Sequence, residues 1–276
     1  MPSLGQSAAN LKPGMVAVLG IPSDAYSSFQ RGASDAPARI RQLLHSGSTN
    51  LCSEDGTDLG AEPRFVDLGD LELGPVAELH SQVESAIAGL LDRGAQVLSL
   101  GGDHAVTVPI LRAYSKKYDN LEVLHLDAHP DLYDEYMGSR SSHACTFARV
   151  MEEGLAKRLV QVGIRASTPH QSEQAEHFGV ETVDMGSWRP GLKVSFRGPV
   201  YISLDMDVLD PGFAPGVSHQ EPGGLSTRDV LQLIQNLNAT VVGADIVELN
   251  PSRDSSDVTA MAAVKFMKEI AACMLR

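Results

Sequence analysis

Short apolar runs punctuate the chain: Met15-Val-Ala-Val-Leu19, Arg64-Phe-Val-Asp67, Gln96-Val-Leu-Ser-Leu100, Leu121-Glu-Val-Leu-His-Leu126, Leu159-Val-Gln-Val162, Val200-Tyr-Ile-Ser-Leu204 and Val241-Val-Gly-Ala-Asp-Ile-Val247. They predict strands, several of them buried on both faces. Between them the period lengthens. Leu79, Val83, Ala86, Ile87, Leu90 and Leu91 keep the spacing of one helix face, and Gly94 supplies a stop before the next strand. Ser226-Thr-Arg-Asp229 has the form of a capping box, opening a helix that buries Val230, Leu233, Ile234 and Leu237. A last helix is expected from near Asp257, with Met261, Val264, Met267 and Ile270 inward.

Strand alternating with helix implies right-handed crossovers and an α/β fold, a three-layer α-β-α sandwich around a central, mostly parallel sheet. At 276 residues the chain is near the upper end of what one core supports, so a single domain over residues 1–276 is expected. No internal repeat, low-complexity tract or linker interrupts it; residues 211–216 and 222–224 read as local loops.

The polar residues fall at informative places. Leu100 is followed by Gly101-Gly-Asp-His104, Leu126 by Asp127-Ala-His-Pro-Asp131, Leu204 by Asp205-Met-Asp207, and Val247 by Glu248. All lie at the carboxyl ends of expected strands, the edge of a parallel sheet where ligands bind. Asp127, His129 and Asp131 alternate with a period of two, as do Asp205 and Asp207, so each set points to one side of an extended segment. With His104 they make four carboxylates and two imidazoles that can meet.

Alone, an Asp-x-Asp after a strand serves as a turn or cap, and Asp103 could simply cap the segment beginning at His104. Together, four buried acids without counter-charge would repel strongly, and a pair of divalent cations removes that difficulty. Oxygen-rich ligation with one imidazole per metal suits two Mn²⁺, while the lack of thiolate ligands argues against structural zinc. Nickel, cobalt and iron stay open. Neither a phosphate-binding glycine loop nor a GxSxG elbow occurs.

Composition narrows the function further. A formal charge of −13 disfavours nucleic acid and anionic membranes as partners and suits a cationic substrate. Cys52, Cys145 and Cys273 are odd in number and scattered, which suggests free thiols. The start, Met1 to Asn10, lacks an apolar leader, and no stretch is long enough to span a membrane; a cytoplasmic protein is therefore expected.

The four motifs at residues 101–104, 127–131, 203–207 and 245–248, in this order, closely resemble the signature of the ureohydrolase (arginase and agmatinase) family. Residues 27–33, 36–41, 47–50 and 213–224 look like its plant-type arginase branch, so the resemblance covers nearly the whole chain. It implies an arginase-like fold, a guanidino substrate and assembly as a homo-oligomer, a trimer or hexamer. It also implies that His104, Asp127, Asp131 and Asp205 bind one Mn²⁺ and that His129, Asp127, Asp205 and Asp207 bind the other, with Asp131 also orienting the attacking hydroxide. By the same motif match, His143 passes a proton to the leaving amine.

Glu248 is suited to pair with the guanidinium by charge-assisted hydrogen bonds. Arginine hydrolysis to ornithine and urea is the leading expectation, with agmatine hydrolysis next. The loop at residues 132–141 departs from the polar loop of animal-type members, which leaves Arg140, Ser141, His219 and Glu221 as candidates for the distal end of the substrate. A basic Arg140 beside the pocket would favour arginine, and an acidic lining would favour agmatine. Cys145 reads as packing. A single-zinc deacetylase and a non-catalytic metal-binding protein are the alternatives from other classes.

Overall fold

In a computed structural model that describes residues 8–276, one sheet of eight strands runs in the order β2-β1-β3-β8-β7-β4-β5-β6. Its members are β1 (Val16–Gly20), β2 (Phe65–Asp70), β3 (Gln96–Leu100), β4 (Glu122–Leu126), β5 (Arg158–Ile164), β6 (Glu181–Asp184), β7 (Val200–Asp205) and β8 (Val241–Val247). Every pairing between neighbouring strands is parallel. Strand β6 was not expected from the sequence. Its Glu181-Thr-Val-Asp184 is largely exposed, so it carries no apolar run and suits an edge.

The helices are α1 (Ala36–Leu44), α2 (Leu79–Asp92), α3 (Thr107–Ser115), α4 (Thr146–Glu152), α5 (Pro169–Phe178), α6 (Thr227–Gln235) and α7 (Val258–Leu275). Alternation along each strand divides the core in two. Val16, Val18, Leu98, Leu124 and Ile202 face α1, α6 and α7, whereas Ala17, Leu19, Val97, Val123 and Tyr201 face α2, α3 and α4. Three layers result, as expected.

Local signals explain the helix ends. Arg93 caps α2 and Gly94 follows at φ 80°, a left-handed conformation that glycine adopts without strain. The capping box between Ser226 and Asp229 is formed reciprocally at the start of α6. Leu237 is buried but lies beyond the end of that helix.

On the α2–α4 face, the row next to the carboxyl edge is polar. Gln161, His125, Ser203, Asp245 and Ser99 stand side by side across β5, β4, β7, β8 and β3, all fully buried. Immobilising polar groups in a sheet interior is costly unless they bond one another or a functional group.

Candidate metal centre

The central strands β3, β8, β7 and β4, adjacent in that order, each deliver polar residues from their carboxyl ends. The chain crosses from β3 to β4 over the other two, which makes this the switch point of the sheet. His104 opens a single helical turn after Gly101-Gly102-Asp103, with the Asp103 carboxylate accepting the Ala105 amide. A Cβ on Gly102 would lie 1.8 Å from the Ser23 carbonyl oxygen, so only glycine lets this turn lie against the loop after β1.

His104 Nδ1 stands 3.2 Å from Asp127 Oδ2, 3.3 Å from Asp131 Oδ2 and 3.2 Å from Asp205 Oδ2. Its Nε2 is 2.9 Å from the Ser203 hydroxyl, which donates its one proton to Asp245 Oδ1 at 2.7 Å. The hydroxyl must therefore accept from His104 Nε2–H, and in the neutral ring Nδ1 presents a lone pair to three carboxylate oxygens. A proton held between Nδ1 and these oxygens, on either partner, or a cation among them satisfies the group.

A second group lies beside the first. His129 Nδ1 is 2.9 Å from Asp207 Oδ2 and 3.4 Å from Asp127 Oδ1. Asp127 thus turns one oxygen to each imidazole. The ligand atoms of Asp127, His129 and Asp207 fall within 4.8 Å of one another, a span a single ion can fill. Burial and repulsion from Asp127 push the Asp131 carboxyl up to about 8 and raise Asp207; burial, with Asp207 and Asp127, raises Asp205 well above the usual range. Asp127 goes the other way, because His125, His104 and His129 outweigh its burial. Buried acids in mutual repulsion, each with an imidazole close by, are a donor set that fits divalent cations.

Above the acids sits a second pair. His143 Nδ1 lies 2.8 Å from Glu248 Oε1, and His143 Nε2 lies 2.8 Å from the Ser28 hydroxyl. Burial disfavours a charged His143, but the Glu248 carboxylate outweighs it and lifts the ring to about 9. The same pairing lowers Glu248 against the opposing effect of its own burial. Glu248 and Asp131 both have left-handed backbones, φ 64° and 52°, a strained conformation tolerated where surrounding structure fixes it. The cleft over these groups is lined by Ser28, Tyr133, Tyr136, Gln171 and His219 as well.

A model of the arginase family matches residues 15–273. Arginase 1, mitochondrial, of Arabidopsis thaliana is 45% identical over 92% of this chain and 80% of its own length. The chain belongs to the arginase family. Within that family, the agmatinase of Bacillus anthracis is 36% identical over 92% of this chain and 90% of its own. The solved structure of an arginase from Medicago truncatula superposes with a TM-score of 0.90 at 40% identity, covering 98% of this chain and 91% of that one.

These relatives correct one expectation. Plant members similar to this arginase-family chain are named mitochondrial or chloroplastic, which contradicts the expectation of a cytoplasmic protein. Free thiols suit any reducing compartment, so they did not discriminate. Residues 1–7, on which much of that expectation rested, lie outside the described residues. Among the described residues no helix is long and apolar enough to cross a membrane.

The fold brings His104, Asp127, His129, Asp131, Asp205, Asp207, His143, His219 and Glu248 together; His219 lies ring to ring with His143 at 5.3 Å and with His129 at 5.8 Å. Arg140 and Ser141 are not among the cleft-lining residues. The Arg140 guanidinium instead pairs with Asp134 and, at 2.9 Å, with Glu152. The carbonyl oxygen of Glu221 accepts from Arg165, and its side chain is likewise absent from the lining. Cys145 is fully buried and its thiol is pushed up to about 12 by that burial, consistent with packing. Ser28, Tyr133, Tyr136 and Gln171 had not been singled out; the first three lie on loops beside the motifs, and Gln171 lies in the first turn of α5, which carried no signal of its own.

Proposed function

We propose that this arginase-family chain is a manganese-dependent hydrolase of guanidino compounds, acting on L-arginine to give L-ornithine and urea. The observation that carries this reading is the Glu248–His143 pair set against the carboxylate and imidazole cluster. His104, Asp127, Asp131 and Asp205 would hold one Mn²⁺, and His129, Asp127, Asp205 and Asp207 a second. When bound, the ions would neutralise the acids and make a water acidic enough to ionise near neutral pH.

The chain's own groups do the rest. Glu248 Oε1 is taken by His143 and by the His104 amide, at 2.8 and 2.9 Å, which leaves Oε2 for a guanidinium N–H. That contact orients the planar cation over the acid cluster. Asp131 accepts from the attacking water and fixes its direction. His143 carries a proton that the departing nitrogen needs, since an amide-like amine anion is too basic to leave unprotonated. Residues 1–276 are taken as one catalytic domain, supported by the single eight-stranded sheet of the described residues. Assembly as a trimer or hexamer is part of the same reading, and sedimentation tests it.

Agmatine is the second reading, and one observation favours it. Among the described residues no Lys or Arg lines the cleft, so an arginine carboxylate would find hydroxyl, amide and imidazole donors there, such as Tyr133, Gln171 and His219. Urea release from arginine and from agmatine, measured on manganese-reconstituted protein, separates the two. Activity on agmatine alone would reject the arginase assignment, and inertness toward all guanidino compounds would reject both.

A further inference from the structure

His125 is a fully buried imidazole at the centre to which the proposed function gives no role. Its ligand atoms group with those of His104 and Asp127 within 4.8 Å, so proximity alone makes it a candidate metal ligand. Its hydrogen bonds say otherwise. His125 Nε2 lies 2.7 Å from Asp127 Oδ2, and His125 Nδ1 lies 3.0 Å from the Gln161 side-chain nitrogen.

The Gln161 amide nitrogen also lies 2.7 Å from the Pro130 carbonyl oxygen. A carbonyl oxygen can only accept, so this contact decides which way the amide points. Flipping the amide would set two carbonyl oxygens 2.7 Å apart and would leave an NH₂ buried with no acceptor. In the orientation observed, only the Gln161 oxygen is unpartnered. The two N–H bonds of Gln161 therefore go to Pro130 and to His125 Nδ1. An Nδ1 that accepts leaves the neutral ring its proton on Nε2.

We infer that Gln161, oriented by the Pro130 carbonyl, fixes His125 as an Nε2–H donor to Asp127, so that His125 positions a bridging metal ligand and is not a ligand itself. The strand register builds this in, because His125 and Gln161 are direct neighbours across β4 and β5. Phe147 stacks on the His125 ring with centroids 3.8 Å apart and holds its plane. The role is to aim Asp127, whose two oxygens face different imidazoles, and it rests on the two-metal reading proposed above. Hydrogen bonds of this kind behind a metal ligand are worth about 10- to 100-fold in metal affinity.

Two measurements test this without using turnover. Neutron diffraction from deuterium-exchanged crystals of the manganese-bound chain should show deuterium on His125 Nε2 and none on Nδ1. Free-Mn²⁺ titration followed by electron paramagnetic resonance should show His125→Phe, which keeps a ring against Phe147, binding manganese about 10- to 100-fold more weakly. His125→Gln, which keeps an N–H at the Nε2 position, should stay closer to the parent. Deuterium on Nδ1, a manganese ion at bonding distance from Nε2, or equal affinity in the two variants overturns the inference while leaving the proposed function standing. A parent chain that takes up no manganese overturns the function and this role with it. Should the variants fail to fold, the neutron map of the parent decides.

Discussion

His143 and the backbone amide of His104 share one oxygen of Glu248, at 2.8 and 2.9 Å. Glu248 thereby ties the end of β8 to the turn after β3 and to the loop that carries His143, and it still has a second oxygen to offer. Glu248→Gln keeps an acceptor for both partners and removes the charge. Because a hydrogen bond to a charged group is worth about 1.5–3 kcal/mol, kcat/KM should fall roughly 10- to 100-fold. Metal content should stay at the parental value. Urea-release kinetics paired with metal analysis check this, and unchanged turnover would remove Glu248 from substrate binding.

His143 and Asp205 should separate cleanly. His143 touches Ser28 and Glu248 but no carboxylate of the acid cluster, whereas Asp205 Oδ2 is one of the oxygens gathered at His104 Nδ1. His143→Ala is expected to retain manganese and slow kcat by about 10²- to 10⁴-fold, the usual weight of a positioned proton donor. Asp205→Ala should lose manganese as well as activity. Equal metal loss in both variants contradicts the division of roles.

Much of this was legible in the chain because buried parallel strands concentrate apolar residues, so the acids that follow them stand out. Asp127, His129 and Asp131 do come together, but through a bend at residues 128–129 and a left-handed Asp131 rather than through the extended segment expected, and the apolar rows of α2 and α6 marked those helices. What stayed hidden depends on neighbours in space. Edge strand β6 has no apolar run to read, and Arg140 looked like a substrate contact until its guanidinium was found on Asp134 and Glu152. The polar row of Gln161, His125, Ser203, Asp245 and Ser99 is split among five separate apolar runs of the chain. The available signal was a polar residue next to last in four of the apolar runs, Ser99, His125, Gln161 and Ser203.

Arg140 gives the sharpest contrast with the sequence-based expectation. Its charge is matched by two acids outside the cleft, and its side chain is about half exposed, 46%. Exposed pairs of this kind contribute about 0–1 kcal/mol. Arg140→Ala should therefore leave KM for arginine within roughly threefold of the parent and shift stability by less than about 1 kcal/mol. A tenfold rise in KM would bring Arg140 back as a carboxylate partner.

Gly102 should be intolerant of change for a reason unrelated to phosphate. An added methyl would meet the Ser23 backbone, so the turn holding His104 or the loop leading to Ser28 must move. Gly102→Ala is expected to cost about 1–3 kcal/mol, the usual penalty of overpacking, and to weaken manganese binding by displacing His104. Thermal denaturation with and without metal reads both effects. A variant as stable as the parent would mean the turn has slack that the structure does not show.

Removing the metal should lower stability, and the acid cluster predicts an inversion when one acid is neutralised. Ligand that binds only the folded chain adds about 2.7 kcal/mol at a hundredfold excess over Kd, or roughly 5–10 °C in Tm for a domain of this size. Chelation should withdraw that increment and added manganese should restore it. Burial and the charges of Asp207 and Asp127 work against the ionised Asp205 carboxylate. Asp205→Asn keeps an oxygen to accept the Asp207 amide, 2.7 Å away in the parent, while deleting that charge. The metal-free variant should thus be more stable than the metal-free parent, yet gain little from manganese, so that the order of the two Tm values reverses on adding the ion. If the metal-free variant were instead the less stable, the carboxylate would be serving the fold through its hydrogen bonds, and the case for acids held together by cations would fail at its centre.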